Sequence, residues 1–155
     1  MSAEITAKLR EMGLELPEAR APAANYLPYV VSGSMVYVSG QISAAADGSL
    51  ITGKLGADLD VSAGAGAAER CALLLLAQVK AACDGDLGRL KRVVKLTGFV
   101  NSTPDFTDQP KVINGASDLL GNLLGAAGQH ARAAVSAASL PLGVAVEIEG
   151  IFEIS

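Results

Sequence analysis

The chain has 155 residues, enough for one hydrophobic core. Half of them are hydrophobic, 4% are aromatic and 18% are charged, so the core must be built from Ala, Val, Leu and Ile, and the shortage of charge points to surface covered in an oligomer. The net charge is −4 and the densest basic stretch, Arg89 to Arg92, holds only Arg89, Lys91 and Arg92, which argues against nucleic acid or an anionic membrane as an obligate partner, because phosphate binding is mainly electrostatic.

The N-terminal stretch MSAEITAKLREMG alternates charges and has no apolar run of signal-peptide length. Ile5, Leu9 and Met12 recur at helical spacing, which predicts a short helix over Ala3 to Met12 with Gly13 as its stop, the core of an N-terminal helical extension over residues 1–20. A linker rich in Pro and Ala follows from Leu16 to Ala24. Tyr29 to Ser32 and Met35 to Ser39 read as two strands joined at Gly33-Ser34, a hairpin signal. Ala44 to Asp58 is dense in turn-forming Gly and Asp and reads as a loop with at most one short strand.

Ser62 to Cys83 is the strongest helical pattern. Asp60 or Ser62 caps its start, Cys71, Leu74, Leu75, Val79 and Ala82 form one apolar face, and Asp84-Gly85-Asp86 stops it. Gly64 and Gly66 at its start match no phosphate-binding loop and read as glycines the helix tolerates. The longest strongly apolar run, Ala72 to Ala77, is too short to span a membrane. Cys71 and Cys83 fit no metal-ligand spacing and read as reduced, buried thiols of a soluble, cytoplasmic protein. Leu90 to Asn101 reads as a strand, with a turn at Ser102-Thr103-Pro104. A second long helix runs from Gln109 to about Ala126 on the stripe Val112, Ala116, Leu119, Leu120, Leu123 and Leu124, weakened locally by Gly115 and Gly121.

The last segment reads as two strands, Ala131 to Ala138 and Val144 to Ile154, flanking a Leu-Pro-Leu-Gly turn as partners. In the second, Val144, Val146, Ile148, Phe152 and Ile154 share one face, which should pack on the two long helices; Glu147, Glu149 and Glu153 share the other. Ala145 and Ile151 lie among those carboxylates, so the second face calls for a covering layer, most simply another subunit. The order helix, β, β, α, β, α, β, β predicts an α+β fold with both long helices on one face of a single sheet, in a single domain over residues 1–155.

Few side chains offer chemistry. Arg132 opens the penultimate strand beside the small residues Ala134, Ser136 and Ala138; it suits either an ion pair with Glu147 or Glu149 or a bidentate clamp on a small carboxylate. Glu147 is either a solvated strand residue or a general base that orients water, and strand parity does not separate it from Glu149. His130 is the single histidine and precedes Arg132 by two positions. No metal constellation and no nucleophile motif is present. Tyr29 opens the first strand, Ser39 and Gly40 end the second and could offer a hydroxyl and backbone groups, and Asn114 lies early in the second long helix.

Taken together, several blocks resemble the Rid/YjgF family of reactive-intermediate (enamine and imine) deaminases, also labelled endoribonuclease L-PSP. They are Ala21-Pro-Ala-Ala with Pro28-Tyr29-Val30, Val38-Ser39-Gly40-Gln41-Ile42, and Val94 to Val100 with Asp105-Phe106. The most specific is Ala131-Arg132-Ala-Ala-Val135 with Leu140-Pro141 and Val146-Glu147-Ile148-Glu149. The likeness spans about Ala21 to Ile154 and is greatest to the longer, YjgH-like branch.

The resemblance implies a chorismate-mutase-like fold and a homotrimer with a central β-barrel and sites in clefts between subunits. It implies hydrolysis of small 2-imino acids to 2-oxo acids and ammonia, with no cofactor. Carried over by motif, Arg132 holds the substrate carboxylate, Glu147 positions the attacking water, Tyr29, Ser39 and Asn114 line the pocket, and Gly40 offers backbone contacts. Two positions depart from the family pattern. A cysteine is common where Ala134 stands, and a proline is common where His130 stands; both alter the pocket walls and bear on the substrate. The alternatives are a non-catalytic trimer that binds a small carboxylate and, from the family label, RNA cleavage, against which the acidic balance and lone histidine weigh.

Overall fold

The computed structural model describes residues 2–22 and 24–155. A helix, α1 (Ser2–Glu11), opens the chain and ends at Gly13, whose φ of +74° lies in the left-handed region that glycine enters without strain. A hairpin follows, β1 (Tyr29–Ser32) and β2 (Met35–Ile42), turning at Gly33-Ser34. Then come α2 (Val61–Ala82), β3 (Leu90–Asn101), α3 (Gln109–Leu124), β4 (Ala131–Ala137) and β5 (Val146–Ile154). Asp60 caps α2, its side chain accepting from the Ala63 N–H at 2.8 Å. The 43–60 segment has no strand of its own; it is held by isolated bridges and by Lys54, whose ammonium donates to Asn101 Oδ1 at 2.8 Å and to the Ala138 carbonyl.

The five strands make one mixed sheet in the order β1-β2-β5-β3-β4. β5 runs antiparallel to both β2 and β3, and β4 lies parallel to β3 at the edge. The expectation that the last two strands are partners is therefore corrected: β3 stands between β4 and β5. The short Pro141–Gly143 turn does not close a hairpin. Val144 bonds instead with the 43–60 segment, and the chain passes on into the middle of the sheet.

Both long helices pack on one face. Val146, Ile148, Phe152 and Ile154 of β5 are buried there with Val36, Val38, Val93, Leu96 and Val100, as the alternation predicts. At about 25 cal/mol per Å² of apolar area removed from water, this continuous layer is the main source of stability. α2 is buried further round than one apolar stripe requires: Leu73, Leu76 and Ala77 are as buried as Leu75 and Val79. α3 packs along α2 beside the sheet, and the N-terminal extension adds to the same core. Ile5 and Leu9, with Leu14 and Leu16, join the core cluster, and the buried Gln78 of α2 donates to the Arg20 carbonyl at 2.7 Å. Cys71 and Cys83 are free and buried, and burial pushes both thiols up from their ordinary pKa. No helix among the described residues is long and apolar enough to cross a membrane.

Gly115 is where α3 crosses α2. A Cβ there would lie 2.0 Å from the Ala65 carbonyl oxygen, a backbone atom that cannot rotate away. The weakened helix interior at Gly115 is thus the condition for close helix packing. Gly115→Ala is expected to destabilise the protein by about 1–3 kcal/mol, the usual cost of overpacking, read from the denaturant midpoint. Gly66→Ala, where a Cβ meets nothing within 4 Å, is expected to leave stability unchanged or raise it by up to about 1 kcal/mol.

Candidate functional site

Arg132 lies on β4 opposite Leu96 of β3, which in turn faces Gly150 of β5. Leu96 is fully buried beneath the helices, so Arg132 points to the helix side, at the sheet edge. Its guanidinium reaches α3: Nη1 donates to Ser117 Oγ at 3.1 Å and Nη2 to the Pro110 carbonyl at 3.2 Å. His130 completes this group. Its Nδ1 lies 2.6 Å from the Gly128 carbonyl, which only accepts, so Nδ1 carries the proton; in the neutral ring Nε2 then accepts from the Ser117 hydroxyl at 2.9 Å. Ser117 thereby turns its lone pairs toward Arg132. Arg132, Ser117, His130 and Asn114 line one open cavity of about 360 Å³. The guanidinium commits two N–H groups to α3 and keeps the rest of its fork for a ligand.

Glu147 lies elsewhere. It faces Phe99 of β3 and Ile42 of β2, three residues from Gly150, and so points away from the helices. Arg132 and Glu147 of one chain are on opposite faces of the sheet with β3 between their strands. The same parity excludes an ion pair of Arg132 with Glu149, and no salt bridge to either carboxylate occurs among the described residues.

Glu147 sits over an interruption in β2. The pairing of β2 with β5 slips between Val38 and Gln41, so Ser39 and Gly40 form a bulge opposite Glu149. A Cβ at Gly40 would lie 2.1 Å from Glu147 Oε2; only glycine leaves space for this carboxylate to lie over the strand. Burial first, and the negative charge of Glu149 second, raise the Glu147 carboxyl above its ordinary pKa of 4.5. Glu147 and Gly40 line a cavity of about 300 Å³ whose other walls include Tyr26, Pro28, Pro141 and Leu142, with Arg20 at its rim.

The residues singled out from sequence therefore fall into two groups. Asn114 joins Arg132 in one cavity, and Gly40 joins Glu147 in the other. Ser39 donates its hydroxyl to the Leu27 carbonyl at 2.7 Å and tethers the linker. Tyr29 packs against the core cluster, and Tyr26 is the tyrosine that lines the Glu147 cavity. Ser117 and Arg20 carry no sequence signal of a role: one is a serine at an ordinary helix position, the other a charge in a linker. Among the described residues no three His, Cys, Asp or Glu side chains cluster in a way that could hold a metal.

Gly40→Ala tests the contact between β2 and Glu147. The obstructed atoms belong to a flexible side chain, so folding stability should change by less than about 1 kcal/mol. The carboxylate should swing toward water, and its pKa, followed by carboxyl-carbon NMR titration, should fall back toward 4.5.

Residues 6–151 match the sequence profile of the family described as "YjgF/chorismate mutase-like, putative endoribonuclease". Protein TCP17 of Trypanosoma cruzi is 50% identical over 155 residues, covering 99% of this chain and 96% of that protein. A protein of unknown function from Agrobacterium tumefaciens has the same fold with a TM-score of 0.93 at 50% identity, over 99% of this chain and 94% of that one. The structure described as a putative endoribonuclease from Shewanella oneidensis superposes with a TM-score of 0.91 at 37% identity, over 97% of this chain and 99% of that one. With a profile match across nearly its whole length and the mixed five-stranded sheet that goes with it, the chain belongs to the YjgF/chorismate mutase-like family.

Proposed function

We propose that the protein hydrolyses small 2-imino acids to 2-oxo acids and ammonia, in a cleft between copies of the chain that joins Arg132 of one copy to Glu147 of another. The observation that carries this reading is the separation of the two residues. A carboxylate clamp and an uncompensated carboxylate base lie on opposite faces of one sheet, and only a second copy brings such faces together. The face that bears Glu147 is suited to being covered: Val30, Tyr37 and Val135 are each close to half exposed there, beside the partly buried Phe99 and Ile151. A homotrimer closed through these faces into a central barrel, as the resemblance implies, is part of the proposal.

The chemistry asks little of the protein. A protonated C=N carbon is already electrophilic, so catalysis is mainly placement. Arg132 fixes the substrate carboxylate through the fork left free by Ser117 and Pro110. Glu147 accepts a hydrogen bond from water and takes its proton as the oxygen attacks the imine carbon. The resulting carbinolamine carries an amino group and a hydroxyl on one carbon. Return of the proton to nitrogen lets ammonia leave as Glu147 takes the hydroxyl proton and the C=O forms; the departing ammonia carries that proton away as ammonium, and Glu147 ends ionised as it began. Gly40, in the bulge, keeps the backbone close to the same space.

The family description names endoribonucleases, and phosphodiester cleavage is the weaker reading for this chain. Its net charge is −4, and the described residues form no basic face around either cavity, whose cations are Arg132 in one and Arg20 in the other. A trimer that binds a 2-oxo acid without turnover is the remaining alternative, and the same experiment separates it.

The test is hydrolysis of a freshly generated 2-imino acid by wild type, Arg132→Ala and Glu147→Gln. Loss of the bidentate clamp should lower kcat/KM on the order of 100-fold, chiefly through KM. Loss of the base should lower kcat on the order of 100-fold with KM little changed. No acceleration over buffer by a folded wild-type protein across alanine-, threonine- and leucine-derived imines would overturn the reading, and tight 2-oxo acid binding alongside it would establish the binder. The pH profile adds a second check. Glu147 must be ionised to take a proton and its pKa is raised, so kcat/KM should fall as pH drops through a value above 4.5. That limb should vanish in Glu147→Gln.

A further inference from the structure

The guanidinium that shares a cavity with Glu147 within one chain is Arg20, not Arg132. Arg20 belongs to the linker between α1 and β1, and its position is set deliberately in physical terms. Gln78, 1% exposed in a helix otherwise buried through Ala and Leu, directs its amide to the Arg20 carbonyl at 2.7 Å. A buried amide costs free energy unless it is bonded, so this contact fixes the linker at that residue. Pro17 before it and Pro22 after it restrict the backbone on either side. The side chain, by contrast, is left unengaged: among the described residues the Arg20 guanidinium makes no hydrogen bond or ion pair, although the chain carries an excess of carboxylates. Apart from Glu147, the rest of the cavity lining is apolar or uncharged and includes Tyr26, Pro28, Pro141 and Leu142.

We infer that Arg20 binds a second anionic group at the distal end of the ligand, so that the preferred substrates are imines of dicarboxylic amino acids and the preferred products are 2-oxo dicarboxylates. The inference rests on the proposed function for the position of the reacting carbon beside Glu147. The proximal carboxylate goes to Arg132 of the other copy, the imine carbon lies at Glu147, and the side-chain carboxylate extends into the 300 Å³ cavity toward Arg20. A cavity of this size, at the small end of ligand sites, admits a short chain rather than a ring system. An uncharged side chain placed there would leave the exposed guanidinium to water and gain only the apolar walls.

The experiment measures equilibrium binding of 2-oxoglutarate and of 2-oxobutyrate to the intact protein by calorimetry, for wild type, Arg20→Met and Arg20→Lys. A charge-assisted pair at a partly solvated site predicts that wild type binds 2-oxoglutarate about 10-fold or more tightly than 2-oxobutyrate. That ratio should collapse toward one in Arg20→Met and recover in part in Arg20→Lys, which keeps the charge but not the planar fork. Arg20 holds the linker through its backbone carbonyl, so both variants keep the Gln78 contact and circular dichroism should match wild type. Equal affinity of wild type for the two acids, an unchanged ratio in Arg20→Met, or no binding of either acid would each overturn the inference. The readout needs no turnover: absence of imine hydrolysis with the ratio preserved would sink the deaminase and leave Arg20 assigned, whereas hydrolysis without the ratio would sink Arg20 alone.

Discussion

The structure depends on the insertion of the C-terminal strand between β2 and β3. β5 runs antiparallel to both of its neighbours at the centre of the sheet, and its inward side chains, Val146, Ile148 and Phe152, are fully buried beneath the helix layer. Gly150 makes the insertion fit, since a Cβ there would press on the Phe152 ring and on Leu96. Once β5 is central, β4 is left at the edge of the sheet, parallel to β3. The opposite facing of Arg132 and Glu147 follows from that order.

Alternation along β5 turns Glu147 to the face the helices do not cover, and the edge position of β4 turns Arg132 toward α3. The two surfaces are built differently. Arg132 is held by a chain of hydrogen bonds from the Gly128 carbonyl through His130 and Ser117, whose hydroxyl serves as donor and acceptor at once. Glu147 is held by an absence of atoms, the missing Cβ of Gly40 in a strand bulge. One surface supplies fixed positive charge, the other a carboxylate raised in pKa by burial.

The N-terminal extension has two consequences. It adds Ile5, Leu9, Leu14 and Leu16 to the core against which α2 packs, and the linker behind it sets Arg20, Ala21, Pro22, Tyr26 and Pro28 along the Glu147 cavity. Gln78 links the two, a buried polar group whose partner is the linker backbone.

Much of this was legible in the sequence. Periodicity and caps marked both long helices, with Asp60 as the cap of α2 and Asp84-Gly85 as its stop, and the alternation in β5 separated Val146, Ile148 and Phe152 from Glu147 and Glu149. These are local properties, set by backbone geometry within a few residues, and they survive folding because the tertiary environment agrees with them. The family motif around Arg132 and Glu147 was likewise readable. What the sequence did not determine was strand order. Two adjacent strands around a Pro-Gly turn read as a hairpin, and nothing local says that β3 will lie between them. Tertiary structure alone decided that Arg132 and Glu147 face opposite ways, that Ser117 rather than a carboxylate orients Arg132, and that Arg20 rather than Tyr29 reaches the Glu147 cavity. The physical reason is the same in each case: these relations are contacts between residues far apart in the chain, fixed by how the helices and strands bury their shared apolar layer.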